Sequence, residues 1–251
     1  MGTNYKSGFT IIETMLFLAI TGLMVVAILV NTGSTINIQR YRDSVISLKS
    51  FLQGQYSDVM NVRNEQPAAP LSCDNNAKIT ESGTTSPRGQ ADCVILGKYT
   101  TIVDTKISSS VVVGLGDISS TANDIDNLKT YKLSILPGST ETSDLEWGTN
   151  IAWPKSGIDN KGQSTPRTIA LLMLRSPSSG LSYTFSADSA NISLSDMIVA
   201  GDTIPGQAQR LICVDPAGLF SGGQSIYINS YATGSSSIET KSNDTSGTSQ
   251  C

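Results

Sequence analysis

The sequence predicts an α+β protein: a long amino-terminal α-helix, membrane-spanning and then amphipathic, packed on a mainly antiparallel β-sheet head domain. Three observations carry this prediction. Thr14 to Gln39 holds no charged residue and Met15 to Val30 is almost wholly apolar, enough for a helix of about 20 residues to cross a hydrocarbon layer. Beyond it Tyr41, Val45, Leu48, Leu52 and Val59 recur at steps of three, four or seven, the period of one apolar helix face. Farther on, the pattern turns to short apolar runs punctuated by Gly, Ser, Asn and Pro, which reads as strands and turns.

The helix is expected over residues 9–62, with 9–30 in the membrane, because no proline interrupts the chain before Pro67. At 1.5 Å per residue it would run about 80 Å, too long for a head of this size to enclose. Arg40, Arg42, Asp43, Lys49 and Asp58 fill its other faces. Gly22 and Gly33 are candidate soft points, each costing about 1 kcal/mol relative to alanine; glycine also permits close helix packing in a membrane.

Glu13 is the one charge at the start of this apolar run. An acid carried toward a bilayer centre costs roughly 2.5 to 3.5 kcal/mol, so it marks a functional position awaiting a partner. It follows Gly8-Phe9-Thr10-Ile11-Ile12, and this run resembles the type IV pilin family: a short leader ending in Gly, then Phe, a hydroxyl residue, two aliphatics and Glu. The resemblance is specific from Gly8 to about Val62. It implies a leader of residues 1–8, cut by a membrane prepilin peptidase between Gly8 and Phe9, and methylation of the new amine on Phe9. It also implies that Glu13 pairs with the amine of a neighbouring subunit, setting the stagger of a polymer. The geometry agrees, since Glu13 would lie only about 6 Å along the axis from its own amine, so a displaced neighbour can supply a better-aligned partner. An ordinary secretory signal instead places its cleavage site after the apolar region. A plain signal anchor with a chance acid at its edge is the competing reading.

Charge does not set the orientation by itself, because Lys6 precedes the span while Arg40 and Arg42 follow it. The pilin resemblance places the long carboxy-terminal part outside the plasma (inner) membrane in the precursor, and then in an extracellular filament. Four cysteines, Cys73, Cys93, Cys213 and Cys251, suit an exported chain with disulfides. Three connectivities are open; Cys73 with Cys93 would close a polar loop, and Cys213 with Cys251 would tie down the end, as pilins commonly staple a carboxy-terminal loop. A zinc site would need closer paired spacing.

The head is expected as one domain over residues 63–251, ending in a Ser/Thr/Gly-rich tail, 232–251, with little to bury. Candidate strands are Val94–Val103, Ser110–Leu115, Thr130–Leu136, Thr168–Leu174, Leu181–Ser186, Arg210–Val214 and Ser225–Ser230. Pro137 to Pro166 reads mostly as loop, with Trp147 and Trp153 as packing anchors. Gly114-Leu115-Gly116 reads as a turn, since a phosphate loop needs a longer Gly pattern and a Lys.

With no histidine in the chain, a Ser-His-Asp or Cys-His device cannot be assembled. Asp117, Asn123, Asp124 and Asp126 could approach a cation, but their spacing is not an EF-hand, and a solvated acidic loop is the better reading. No cofactor and no metal are expected. Arg210 to Gly218 resembles a strand and turn of the H-type pseudopilins and related minor pilins. Where some of those continue with basic residues, this chain has Leu219-Phe220-Ser221-Gly222-Gly223. Removing Lys6 with the leader leaves 16 basic and 21 acidic residues, a balance of minus five. Phosphate binding needs a local basic patch, so direct DNA binding is disfavoured.

The expected function is a non-enzymatic structural subunit of a type IV pilus, polymerised through its helix and serving adhesion, twitching motility or DNA uptake. Its expected partners are other pilin subunits, the prepilin peptidase, the membrane assembly machinery and, before assembly, the cell membrane. A secretion or competence pseudopilin, or a minor tip pilin, is the alternative within the family. A singly anchored surface protein or hydrolase is the alternative outside it.

Overall fold

In the computed structural model, residues 10–61, 71–81, 93–117, 119–155, 167–199, 209–218, 223–229, 232–242 and 251 are described. Helix α1, Ile11–Met60, is 50 residues long, about 75 Å. Its buried residues are Tyr41, Ser44, Val45, Leu48, Leu52, Gln55, Tyr56 and Val59, all in the second half and spaced to form one stripe. The first half carries none.

Two antiparallel sheets receive that stripe. The larger runs β5 (Lys132–Ile135), β4 (Lys106–Leu115), β3 (Val94–Val103), β8 (Thr168–Arg175) and β9 (Ser182–Ala187), with β6 (Glu141–Asp144) sharing the outer edge of β4. The smaller runs β12 (Ile238–Ser242), β11 (Gln224–Ile228), β10 (Arg210–Asp215) and β7 (Asn150–Ala152). A third pairing, β1 (Leu71–Cys73) with β2 (Ile79–Glu81), forms a small hairpin.

Strand alternation explains how the core divides. On β8, Ile169, Leu171 and Met173 face α1, while Ala170, Leu172 and Leu174 face a second core on the other side of the sheet, the period of two that a pleated strand imposes. The helix-side core also takes Ile151, Ile212, Val214, Ile226, Ile228 and Ile238 from the smaller sheet. Helices α2 (Asp124–Thr130) and α3 (Leu194–Val199) supply Leu128, Met197 and Ile198 to the second core. The α+β class is thus realised as helix, sheet and short helices in layers.

Several expectations on elements are corrected. β4 begins at Lys106, joined to β3 by a tight turn in which Asp104 takes φ 57°; the polar run Lys106 to Ser109 hides a strand because only Ile107 and Ser109 in it are buried. Gly114-Leu115 is the end of β4, paired with Leu133 and Lys132, rather than a turn. The stretch read as loop after Pro137 contains β6 and β7. Part of the expected acidic loop is α2, started by Asn123, whose side chain accepts the Asp126 N–H. Residues 232–242 of the tail are also ordered: Ala232 and Ile238 are buried in the helix-side core and β12 closes the smaller sheet. Trp153 is buried as expected, but Trp147 is half exposed.

Candidate functional site

The candidate site is the free half of α1 and its junction with the head. Thr10 begins the helix with extended backbone, φ −79° and ψ 151°, and its Oγ1 accepts the Glu13 N–H at 3.3 Å. Glu13 therefore occupies the third helical position, and Thr10-x-x-Glu13 has the spacing of a capping box. This local role was not among the expectations for Glu13, although a Thr-x-x-Glu pattern before an apolar run signals it. The carboxylate lies at the helix's positive end, where negative charge is favoured. Gly8 and Phe9, the expected cleavage and methylation positions, lie outside the described residues.

From Ile11 to Val30 the large apolar side chains are exposed, Ile12 by 79% and Leu23 by 73%. α1 is long and apolar enough to cross a membrane, and its apolar window has no part buried within the protein. The helix continues through Gly22 and Gly33, and nothing approaches the space a Cβ would fill at either. Packing within this chain therefore does not require glycine there. Each follows a threonine that bonds back to the preceding turn: Thr21 Oγ1 donates to Phe17 O at 2.9 Å and Thr32 Oγ1 to Ile28 O at 2.8 Å. Such back-bonding satisfies the hydroxyl in an apolar setting and weakens the helix slightly.

The junction begins at Arg40, whose guanidinium lies 4.8 Å from the Trp147 ring centre. One residue on, buried Tyr41 donates its hydroxyl to Val214 O at 2.8 Å and accepts the Gln224 N–H. Its hydroxyl pKa is pushed up to about 12, chiefly by burial. Ser44 meets Thr149 at 2.6 Å, Ser47 donates to Glu146 at 3.0 Å, and Tyr56 meets Thr184 at 2.8 Å. Ser109 donates to Gln55 at 2.6 Å, and Lys98 pairs with Asp58 at 3.0 Å. These polar ties run along the packed half and fix its height against both sheets.

The cysteines pair as Cys73 with Cys93 and Cys213 with Cys251, with Cα separations of 5.9 and 5.5 Å, inside the range a disulfide spans. The second ties the chain's last residue to β10. A feature the sequence did not announce lies between the two sheets. Arg167, fully buried, donates to Asp188 Oδ1 through Nε at 2.9 Å and Nη2 at 2.7 Å, and through Nη1 to Leu211 O at 2.5 Å. Arg210 donates to Ser186 at 2.6 Å and sits 3.6 Å from Asp188 Oδ2. The one basic residue of the Arg210–Gly218 run is therefore engaged in this interior cluster, not presented to a ligand.

Asp124, Asn123 and Asp126 make internal contacts. Asp124 accepts from Ser178 at 2.7 Å, from Ser179, and from Tyr183 at 2.9 Å. These donors, Ser179 foremost, hold its carboxyl down to about 2. Among the described residues no group of three or more His, Cys, Asp or Glu is placed to hold a metal ion.

No family model matches the chain, and no curated protein and no solved structure matches it. Fold and site define the class: a single apolar helix, half free and half packed, carrying an antiparallel, disulfide-bonded β head. That layout is compatible with a pilin-like architecture.

Proposed function

We propose that this protein is a pilin-like structural subunit, stored in a membrane through α1 and polymerised through the same helix into an extracellular filament. The observation that carries the reading is the free half of α1: 30 residues, Ile11 to Arg40, with no buried side chain, continuous with a packed half. An apolar surface of that size in water is unfavourable at about 25 cal/mol per Å², so it needs lipid or other helices around it. Polymerisation exchanges the first for the second. The Gly8-Phe9 to Glu13 pattern supports the same reading: it adds processing by a prepilin peptidase and a carboxylate whose pairing rewards one stagger over others.

The test is intact and peptide mass spectrometry on filaments sheared from the native cells. A chain starting at Phe9 with one added methyl is the expected result. High abundance would mark a major subunit; trace amounts would mark a minor or tip subunit, or a pseudopilin. A chain found only in the membrane fraction and starting at Met1, in cells with a working peptidase, would replace this reading with that of an anchored surface protein.

A further inference from the structure

We propose that Glu13 of one copy docks against Arg42 of a second, parallel copy shifted by about 44 Å along α1, and that this contact sets the long stagger of the polymer; the proposal rests on the reading of this protein as a subunit polymerised through its helix.

Arg42 is a cation of α1 that the head leaves unclaimed. Arg40 lies on the Trp147 ring and shares its face with Asp43, three residues on. Arg42 points about 160° away from Arg40 around the helix. It is exposed, and among the described residues it forms no ion pair and no hydrogen bond. Its neighbours on the helix surface, three and four residues either way, are Ile38, Gln39, Val45 and Ile46, none of them an acid. At steps of four and three, Arg42, Ile46 and Lys49 form one row. Ile46 is 57% exposed, the one large apolar side chain before Met60 that the packed half turns outward. A hydrophobe between two cations on an open flank is a row that lacks its complement.

The start of the same helix supplies it. Glu13 is followed at the same steps by Phe17 and Ile20, 66% and 46% exposed. Chains held in one membrane with one orientation enter a fibre parallel. The shift that sets Glu13 beside Arg42 also sets Phe17 beside Ile46 and Ile20 along the methylene stem of Lys49. Glu13 is the only charge between Ile11 and Gln39, so a neighbour's free half offers Arg42 one partner at one height. Arginine takes a carboxylate in a two-pronged fork, whereas an aliphatic residue in that place would leave the guanidinium desolvated and unpaired, which is costly. A longer shift that pairs Glu13 with Lys49 would set Ile46 against Thr10 and Phe17 against Gln53, which already donates to Ser235 O at 3.2 Å. The favoured shift matches the free half, 30 residues or about 45 Å. The neighbour's helix so begins level with Tyr41, where burial in the head starts. This is a different neighbour from the one whose amine the pilin resemblance brings to Glu13, at a shift of about 6 Å.

The test uses the full chain in cells that assemble it. Phe17→Cys and Ile46→Cys are placed together in one chain; the four natural cysteines are paired, so the two new thiols alone react. Sheared filaments treated with a short bismaleimide should give a ladder of linked multimers, absent from each single variant. Phe17→Cys with Gln39→Cys, about 10 Å out of register, should give none. Where the first pair does not assemble, Ile20→Cys with Lys49→Cys reads the same register. Without added cysteines, Arg42→Glu should lower the ratio of sheared to cell-associated protein at least about tenfold. Arg42→Lys should largely keep that ratio, and thermal unfolding of the head in detergent should be unchanged in both. Filaments that contain the double-cysteine chain yet give no ladder overturn the proposal alone, as does normal assembly of Arg42→Glu. Absence of the unaltered chain from sheared filaments overturns the helix-polymer reading and the proposal with it.

Discussion

Asp188 joins the two sheets by accepting from Arg167 at the start of β8 while standing beside Arg210 of β10. Removing its charge leaves two interior guanidinium groups without their carboxylate, a loss of about 3 to 5 kcal/mol for buried pairs. Asp188→Asn should therefore lower the denaturation midpoint strongly, as measured by chemical unfolding, whereas Glu141→Gln on exposed β6 should change stability by less than about 0.5 kcal/mol. Asp124 sets an acid limit. Its folded pKa is depressed to about 2 by hydroxyl donors, so its contribution is complete above pH 4 and is lost as pH falls from about 4 toward 2. The Asp124→Asn variant should show a shallower loss of stability over that window, read by thermal unfolding at stepped pH. None of these pairings was legible beforehand. Sequence shows that Arg167 is charged, but its burial depends on a carboxylate 21 residues away and a carbonyl 44 away.

At the scale of elements, α1 offers a contrast within one helix. Leu48 is buried in the core that α1 shares with both sheets and Leu23 is exposed. Leu48→Ala should destabilise the head by about 2 to 5 kcal/mol. Leu23→Ala should leave head unfolding in detergent almost unaltered and impair only assembly, which separates the two halves by measurement. The helix was legible because its signals are long: an uncharged apolar run followed by a regular stripe. β3 and β8 were legible because their apolar runs are buried on both faces. β6 and β12 were not. Glu141-Thr142-Ser143-Asp144 has no apolar residue and is exposed throughout, so its pairing with β4 leaves no period to find. β12 adds one buried side chain, Ile238, to a polar run. Trp147 misled for a different reason: ring size argues for the interior, and a left-handed turn overrides it.

For the whole molecule, the proposed assembly through α1 would turn on a single carboxylate. Glu13 is the only charge between Ile11 and Gln39, and apolar packing is non-directional, so helices could slide against one another without it. Glu13→Ala should leave removal of the leader intact and reduce incorporation into filaments, scored as the ratio of sheared to cell-associated protein. Normal filaments from this variant would sink the stagger argument. Thr10 complicates the same position, because its cap already places Glu13 at the helix's positive end.

The lateral ties of α1 also decide how the molecule meets tension. A pull applied to the free half acts along the axis, while the bonds from Tyr41, Ser44, Ser47, Gln55, Tyr56 and Asp58 reach sideways into the sheets and the turn at Glu146–Thr149. Loaded in that direction they are sheared together over about 25 Å of helix, not peeled one after another. Rupture must then break many contacts at once, so a head built this way is toughest along the line in which a retracting fibre would strain it.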